Sequence, residues 1–373
     1  MKKIFFLLCL LLCFTCLLCA CDEAETPAPD PDPTPTHTHE WGEWRTYVLA
    51  TCITEGQEKR LCSCGEAEMR TVPVSNEHTF TERSMTEEYE CNSDAFQTDG
   101  VYYYKCSVCD AKGTNVYMTE NARVYFGEYP QTLKAENVEI TETTDSRGYF
   151  LGSDGAYYAK LSATPHASGY TFSSGAAVMS AWDYYFKVEP IAWRILSITG
   201  DSALILCDSI IDNMPFNNGY DNDNYADSSI RTWLNGDFFS IAFSATAQGC
   251  VATSSITSNP GIRDLTGIVP GYVHGAPKTT EDKIFLLSKE ELTNAAYGLN
   301  TNEARKMKAS DYTLANGIQA DTNGNGYAGW WQRDLFQRDN VYFVNNNGQQ
   351  ASTFCVGTQK YVGVVPALTI NFS

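Results

Sequence analysis

Gly329-Trp-Trp-Gln-Arg333 and Val364-Val-Pro-Ala-Leu-Thr-Ile-Asn-Phe372 are the two stretches that decide the fold of the largest part of the chain. Both are short and rich in the aromatic and β-branched residues that favour strands. Similar runs precede them at Tyr184–Val188, Ile191–Leu196, Ser202–Cys207, Ile284–Leu287 and Val341–Val344. We therefore predict a sheet-containing domain over residues 124–373, with Ser202–Cys207 as a buried central strand.

Short helices are predicted between these strands. Asp227-Ser-Ser229 precedes Ile230, Trp233 and Leu234, which is a cap followed by helical spacing. Ser288-Lys-Glu-Glu291 has the pattern of a capping box that opens another helix. Because strands and helices are mixed along this region, the sequence predicts an α+β domain.

Six motifs of this domain occur in the order found in the family called domain of unknown function 6273, and the chain resembles that family over about residues 124–373. The motifs are Phe126-Gly-x-Tyr-Pro-Gln131, Pro190-Ile-x-Trp-Arg-Ile-Leu196, Ser229-Ile-Arg-x-Trp-Leu-Asn235, Lys283-Ile-Phe-Leu-Leu-Ser288, Trp330-Trp-x-Arg333 and Gly363-Val-x-Pro-Ala-Leu368. The family brings no established activity. Its closing strands resemble those of C-type-lectin-like and formylglycine-generating-like folds, which implies an α+β domain of that kind.

The N-terminus has the pattern of an export signal. A positive Met1-Lys-Lys3 precedes the apolar run Ile4–Leu18, and a small Ala20 stands before Cys21. Leu18-Cys-Ala-Cys21 resembles the bacterial lipobox, which implies cleavage after residue 20 and acylation of Cys21. The protein is then attached to the cell membrane by lipid, on its extracytoplasmic side. An ordinary secretory signal or an uncleaved anchor is the alternative.

Residues 21–36 are acidic, rich in proline and without large apolar side chains, so we predict an extended tether. Removing residues 1–20 takes away Lys2 and Lys3 from 26 Lys and Arg, which leaves 24 against 45 Asp and Glu, a net charge of −21. Such a field repels nucleic acid and anionic lipid. The expected partners are therefore the membrane, through the lipid anchor, and an extracellular glycan or protein.

Residues 37–77 and 78–120 form two cysteine-bearing repeats. His39-Glu-Trp41 is followed by Cys52, and His78-Thr-Phe80 is followed at the same distance by Cys91. Each repeat ends with a cysteine pair, Cys62-Ser-Cys64 and Cys106-Ser-Val-Cys109. The pattern resembles a small zinc-ribbon-like repeat of bacterial surface proteins, although the first pair is one residue shorter than is usual in that repeat.

One histidine and three cysteines per repeat is the ligand count of a closed structural zinc site. A unit of this size buries little core, so a metal would contribute directly to its folding. We predict two sites, with the ligands His39, Cys52, Cys62 and Cys64 in the first and His78, Cys91, Cys106 and Cys109 in the second. Disulfide bonds and free thiols in an anaerobic habitat are the alternatives.

Aromatic and basic residues of the large domain suggest a ligand surface. Trp331 and Arg333 share one face of a strand, and Trp193 with Arg194 offers a second combination of ring and donor. The competing interpretation is that these tryptophans pack in the core. Their strand positions favour the core for most of the set.

Two further patterns are weaker. Asp321, Asn323 and Asn325 follow the first half of a calcium loop, but position twelve is a glutamine, which favours a polar turn. Cys250 and Cys355 are candidates for a disulfide in exported sequence.

From these features we expect a lipid-anchored surface protein in which a cysteine-rich stalk presents a non-catalytic recognition domain. An extracellular carbohydrate-active enzyme and a purely structural envelope protein are the alternatives. No catalytic residue is predicted.

Overall fold

The structure is a computed structural model that describes residues 38–85, 96–218, 224–260, 276–337, 340–354 and 360–371. The chain divides into two compact units, Met1–Ser75 and Asn76–Ser373. Within the described ranges, no helix has both the length and the apolar character needed to cross a membrane. The predicted signal peptide, lipid-attachment residue and tether lie outside these ranges.

The first unit is a small antiparallel sheet in the order β1-β2-β3. Its strands are β1 (Arg45–Val48), β2 (Gly56–Leu61) and β3 (Ala67–Val72). Every residue of β1 is exposed, and β3 is exposed along most of its length. A sheet of this size with so little buried surface has a small hydrophobic contribution to its stability.

The second unit is built on a large sheet whose main path runs β15-β22-β11-β10-β6-β5-β4, with β9, β8 and β7 attached through β10. A five-stranded sheet has the order β12-β21-β18-β19-β20, and β13-β14 and β16-β17 form two-stranded pairs. The strands are β4 (Phe80–Met85), β5 (Phe96–Cys106), β6 (Lys112–Leu133), β7 (Ile140–Thr144), β8 (Phe150–Gly152), β9 (Tyr157–Ser162), β10 (Asp183–Thr199), β11 (Ser202–Cys207), β12 (Asp212–Asn213), β13 (Ser254–Ser258), β14 (Lys278–Asp282), β15 (Ile284–Phe285), β16 (Met307–Lys308), β17 (Tyr327–Ala328), β18 (Trp330–Gln337), β19 (Asn340–Val344), β20 (Gln350–Phe354), β21 (Gly363–Val364) and β22 (Ala367–Asn371).

The helices of this unit are all short. They are α1 (Ser229–Trp233), α2 (Phe239–Ala242), α3 (Ala245–Cys250), α4 (Asn302–Arg305) and α5 (Asp311–Asn316), with a π-helical turn at Leu234–Phe238 and 3₁₀ turns at Glu291–Thr293 and Ala295–Tyr297.

The α+β class expected from the likeness to C-type-lectin-like and formylglycine-generating-like folds is wrong. Strands hold 46% of the described residues and helices 13%, so this is a mainly β protein. The capping signals themselves are real, since Ser288 and Glu291 exchange both capping-box hydrogen bonds, at 2.7 and 3.0 Å. A cap fixes where a helix starts and does not determine its length. Here the chain leaves the helix after a single 3₁₀ turn.

The strand predictions at the centre of the domain are confirmed. Strand β11 has the predicted bounds and lies between β10 and β22 in the middle of the large sheet. The predicted runs Tyr184–Val188 and Ile191–Leu196 are parts of one strand, β10. The pairing of β10 with β6 shifts register between Pro190 and Ala192, where the extra residue of a bulge lies in β6 beside Gly127, at φ 69°.

Candidate functional site

The first unit brings His39, Cys62 and Cys64 together. Their ligand atoms lie within 4.8 Å of one another, which is the spacing of groups that could hold a metal ion. The turn after β2 creates this arrangement: Cys62 N donates to Glu66 O at 2.8 Å, and Gly65, at φ 93°, donates to Cys62 O at 2.9 Å. Because a left-handed residue closes the turn, two cysteines separated by one residue can point to the same side.

The imidazole of His39 is held from both sides. Its Nδ1 lies 3.5 Å from Cys64 Sγ, and its Nε2 lies 3.1 Å from a carboxylate oxygen of Glu66. Metal-binding histidines commonly present one ring nitrogen to the metal and the other to a carboxylate, which orients the ring. The geometry at His39 fits that arrangement.

The second unit contains an equivalent group of His78, Cys106 and Cys109, again within 4.8 Å. Nδ1 of His78 lies 3.2 Å from Cys109 Sγ. Asp110, at φ 59°, donates to Cys106 O at 3.1 Å and so takes the place that a glycine has in the first unit.

The two groups share one backbone design. In each, the residue after the first cysteine donates to the carbonyl of the residue after the histidine: Ser63 to Glu40 at 3.4 Å, and Ser107 to Thr79 at 3.2 Å. The shorter spacing of the first cysteine pair is therefore accommodated by a shorter turn, and the histidine and the cysteine pair keep the same relation.

Backbone N–H groups favour the thiolate form in both groups. The N–H of Cys64 lowers the pKa of Cys62 to about 6, and the N–H of Val108 does the same for Cys106. The thiolate is the form of cysteine that binds metal. In each group one thiol is therefore favoured as a thiolate, while the neighbouring Cys62 raises the pKa of Cys64.

The fourth ligand predicted for each site, Cys52 in the first and Cys91 in the second, stays a prediction. The group at His39 consists of three residues without Cys52, so the assignment of Cys52 to that site stays a prediction. Cys91 lies outside the described residues.

The described cysteines of the predicted sites are free of disulfides; they are Cys52, Cys62, Cys64, Cys106 and Cys109. Cys250 is disulfide-bonded, while its predicted partner Cys355 lies outside the described residues, so that pairing stays a prediction. Cys207 is fully buried and free, and burial raises the pKa of its thiol to about 12.

Trp193 and Trp331 are core residues. They are 0% and 2% exposed, and each indole N–H donates to a backbone carbonyl: Trp193 to Phe126 at 2.7 Å and Trp331 to Met214 at 2.9 Å. Buried tryptophans use their N–H in this way. Neither ring has a face open to a ligand.

The two arginines are held by internal partners. Arg194 donates to Asp208 at 3.0 Å and to the carbonyl of Ala304 at 2.9 Å. Arg333 is 5% exposed and makes a bidentate pair with Glu291, at 2.6 and 2.8 Å. The structure does not bring Arg194 and Arg333 to a common surface with their predicted tryptophans.

The predicted calcium segment is a turn between Ala320 and Ala328, which form a β-bridge. Asp321 Oδ1 accepts the N–H of Gly326 at 3.0 Å, so this carboxylate closes its own loop. Asn323 and Asn325 are exposed. The arrangement is that of a polar turn.

A cleft lies beside the Arg333–Glu291 pair, and of the predicted ligand-binding residues Arg333 alone is among those that line it. One lobe, of about 580 Å³, is polar and is lined by Thr257, Asn259, Ser288, Glu290, Glu291, Thr293, Asn294 and Arg333. A second lobe, of about 330 Å³, is more apolar and is lined by Asn259, Pro260, Lys289, Glu290, Thr293, Asp334, Leu335, Phe336 and Tyr342. The lobes share three lining residues and therefore adjoin. Because their residues come from separate segments, no local motif indicated the cleft.

The comparisons with known proteins identify the domain that carries this cleft. Residues 200–372 match the family described as Domain of unknown function (DUF6273). The match does not extend over residues 124–199, which the sequence motifs had also suggested. No match was found among curated proteins, and none among solved structures. The chain therefore contains a DUF6273 domain at residues 200–372, and all residues that line the cleft belong to it.

Proposed function

We propose that this is a lipid-anchored protein of the extracytoplasmic face of the cell membrane, which presents a non-catalytic recognition domain to an extracellular glycan or protein. The single observation that carries the recognition role is the two-lobed cleft in the DUF6273 domain. It combines amide and hydroxyl side chains with an exposed aromatic ring, as ligand-binding clefts do.

The contacts of Glu291 favour binding over hydrolysis. One carboxylate oxygen accepts from Arg333 Nη1 and Ser288 N, and the other accepts from Arg333 Nη2. Glycoside hydrolysis uses two carboxyl groups that exchange protons or attack the sugar. A carboxylate held by a guanidinium and a backbone N–H is poorly suited to that task. The carbohydrate-active enzyme is therefore the second candidate, and a purely structural envelope protein is the third.

The two Cys/His groups support a stalk in which structural zinc stabilises each repeat. Thiolate and imidazole are the ligands that zinc prefers, and the described ligand cysteines form no disulfide bond. The small exposed sheet of the first unit is the kind of structure that gains most from a metal.

The lipid anchor predicts a simple fractionation result. In a bacterial host, the parent chain should enter the detergent phase of a Triton X-114 extract, and Cys21→Ala should shift the bulk of the protein to the aqueous phase, because acyl chains hold it through their buried CH₂ groups. Cys207→Ala removes a cysteine elsewhere and should leave the partition unchanged. A parent chain found wholly in the aqueous phase would contradict the anchor.

The recognition role predicts binding without turnover. The detergent-solubilised full chain, applied to an array of bacterial and plant glycans, should retain a subset of them, whereas heat-denatured chain should retain none. Each retained glycan is then incubated with the protein and its products are examined by mass spectrometry. Intact glycan supports a binding domain. Cleavage of a retained glycan would replace this proposal with the enzyme.

A further inference from the structure

We infer that the cleft of the DUF6273 domain binds a neutral saccharide, with Phe336 as the platform for the sugar ring and Asn259 and Glu290 among its polar partners. The inference rests on the proposed recognition function and names its site and its class of ligand. It is carried by three features of the cleft: a fixed polar wall, one accessible aromatic ring and a lining charge that disfavours anions.

The polar wall of the cleft is fixed by hydrogen bonds to one buried carboxylate. Asp334 is 3% exposed, and its two carboxylate oxygens accept the backbone N–H of Asn259 at 2.9 Å and of Lys289 at 2.8 Å. Leu335 N donates to Asn259 O at 3.2 Å. One buried carboxylate therefore fixes the backbone of two segments that line the cleft, so the backbone at Asn259 is held in place before a ligand arrives.

In the apolar lobe, the Phe336 ring is more accessible to a ligand than the Tyr342 ring. Lys289 Nζ lies 4.5 Å from the centre of the Tyr342 ring and 3.2 Å from its hydroxyl, so a cation covers that face. Phe336 packs edge-to-face on Tyr342 at 5.4 Å and is itself 37% exposed. The C–H groups on one face of a pyranose are weakly positive and apolar, and they pack well on the π face of such a ring.

The charges of the cleft disfavour an anionic saccharide. Arg333 is neutralised by Glu291, and the carboxylate of Asp334 is buried and taken by backbone N–H groups. With Lys289 and Glu290, which are both exposed, the lining has two cationic side chains and three carboxylates, a net charge of −1 that disfavours an anionic ligand. The net charge of −19 for the whole chain adds long-range repulsion of polyanions. The hydroxyl groups of a neutral saccharide can form hydrogen bonds with the amide, carboxylate and threonine side chains of the cleft.

The test is calorimetric titration of the detergent-solubilised full chain with neutral hexasaccharides of glucose, mannose, xylose and N-acetylglucosamine, and with a hexagalacturonate as the anionic probe. We expect at least one neutral hexasaccharide to bind and the hexagalacturonate to show no heat. Phe336→Ala should weaken binding at least tenfold and Asn259→Ala several-fold, while Phe336→Trp should retain it. Trp182→Ala is the matched control, because Trp182 is also an exposed aromatic residue of this unit (60% exposed) and does not line the cleft.

Thermal melting of each variant shows whether it is folded, and a variant with an unchanged melting temperature gives a valid comparison. Binding of a neutral saccharide that Phe336→Ala and Asn259→Ala leave unchanged would overturn the cleft as the site but keep the recognition function. Preference for hexagalacturonate would overturn the neutral class. If none of the hexasaccharides and no glycan of the array binds, the saccharide inference is wrong. The recognition function would then require a protein ligand.

Discussion

Cys106→Ser is expected to halve the zinc content of the purified protein, from two equivalents to one. Cys106 is 1% exposed, its pKa is lowered chiefly by the N–H of Val108, and its Sγ lies within 4.8 Å of the ligand atoms of His78 and Cys109. A serine hydroxyl stays protonated near neutral pH and cannot replace a thiolate as a zinc ligand. Cys62→Ser should remove the other equivalent by the same reasoning. Zinc is measured by mass spectrometry of the metal per folded chain.

The control is Cys207→Ala, which removes a buried free thiol and should keep both equivalents, even if it lowers stability by leaving a small cavity. Titration from pH 8 to pH 5 gives a second readout. Since the folded pKa of Cys62 and Cys106 is about 6, below the ordinary value of 9.0, thiolate stabilisation is complete above about pH 9 and is lost as the pH falls through 6. Bound zinc competes with protons for these thiolates, so metal should leave only below that pH. A parent chain that folds without zinc would contradict the metal sites.

The Cys/His groups were predictable because most of their residues are marked by local sequence. A histidine, a fixed interval and a closely spaced cysteine pair identify each group from the order of residues alone. The fold then brings His39 to Cys62 and Cys64, and His78 to Cys106 and Cys109. The turn that adapts the shorter pair was not predictable in the same way. It depends on which residue takes a left-handed conformation, Gly65 in one unit and Asp110 in the other.

The large domain shows a different limit. Strands such as Ser202–Cys207 were predicted correctly because a buried central strand is a continuous apolar run. The α+β class failed because capping signals mark helix starts and carry no information on length. The cleft was missed because Asn259, Glu290 and Phe336 are distant in sequence and have no shared pattern. One feature of the sequence did bear on the cleft. The capping box occupies one carboxylate oxygen of Glu291, so the other oxygen can accept from a second donor, which in the structure is Arg333.

Arg333→Met is expected to lower the free energy of unfolding of the second unit by about 3 kcal/mol, the lower end of the range for breaking a buried ion pair, because Arg333 is buried but the Glu291 side chain is 27% exposed to the cleft. The guanidinium joins three segments: it donates to Thr257 O at 2.9 Å, to Leu286 O at 2.8 Å, and to both oxygens of Glu291. Methionine fills similar volume, so the loss comes from polar groups left without partners. Urea denaturation followed by tryptophan fluorescence measures the change.

The matched comparison is Lys160→Ala, which breaks the ion pair with Asp183. That pair is as short as the buried one, at 2.8 Å, but its side chains are 43% and 51% exposed, so the expected cost is below about 1 kcal/mol. Adding Glu291→Gln to Arg333→Met should recover part of the loss, because it removes the uncompensated charge. If Arg333→Met costs no more than Lys160→Ala, the Arg333–Glu291 pair contributes no more to stability than a surface ion pair.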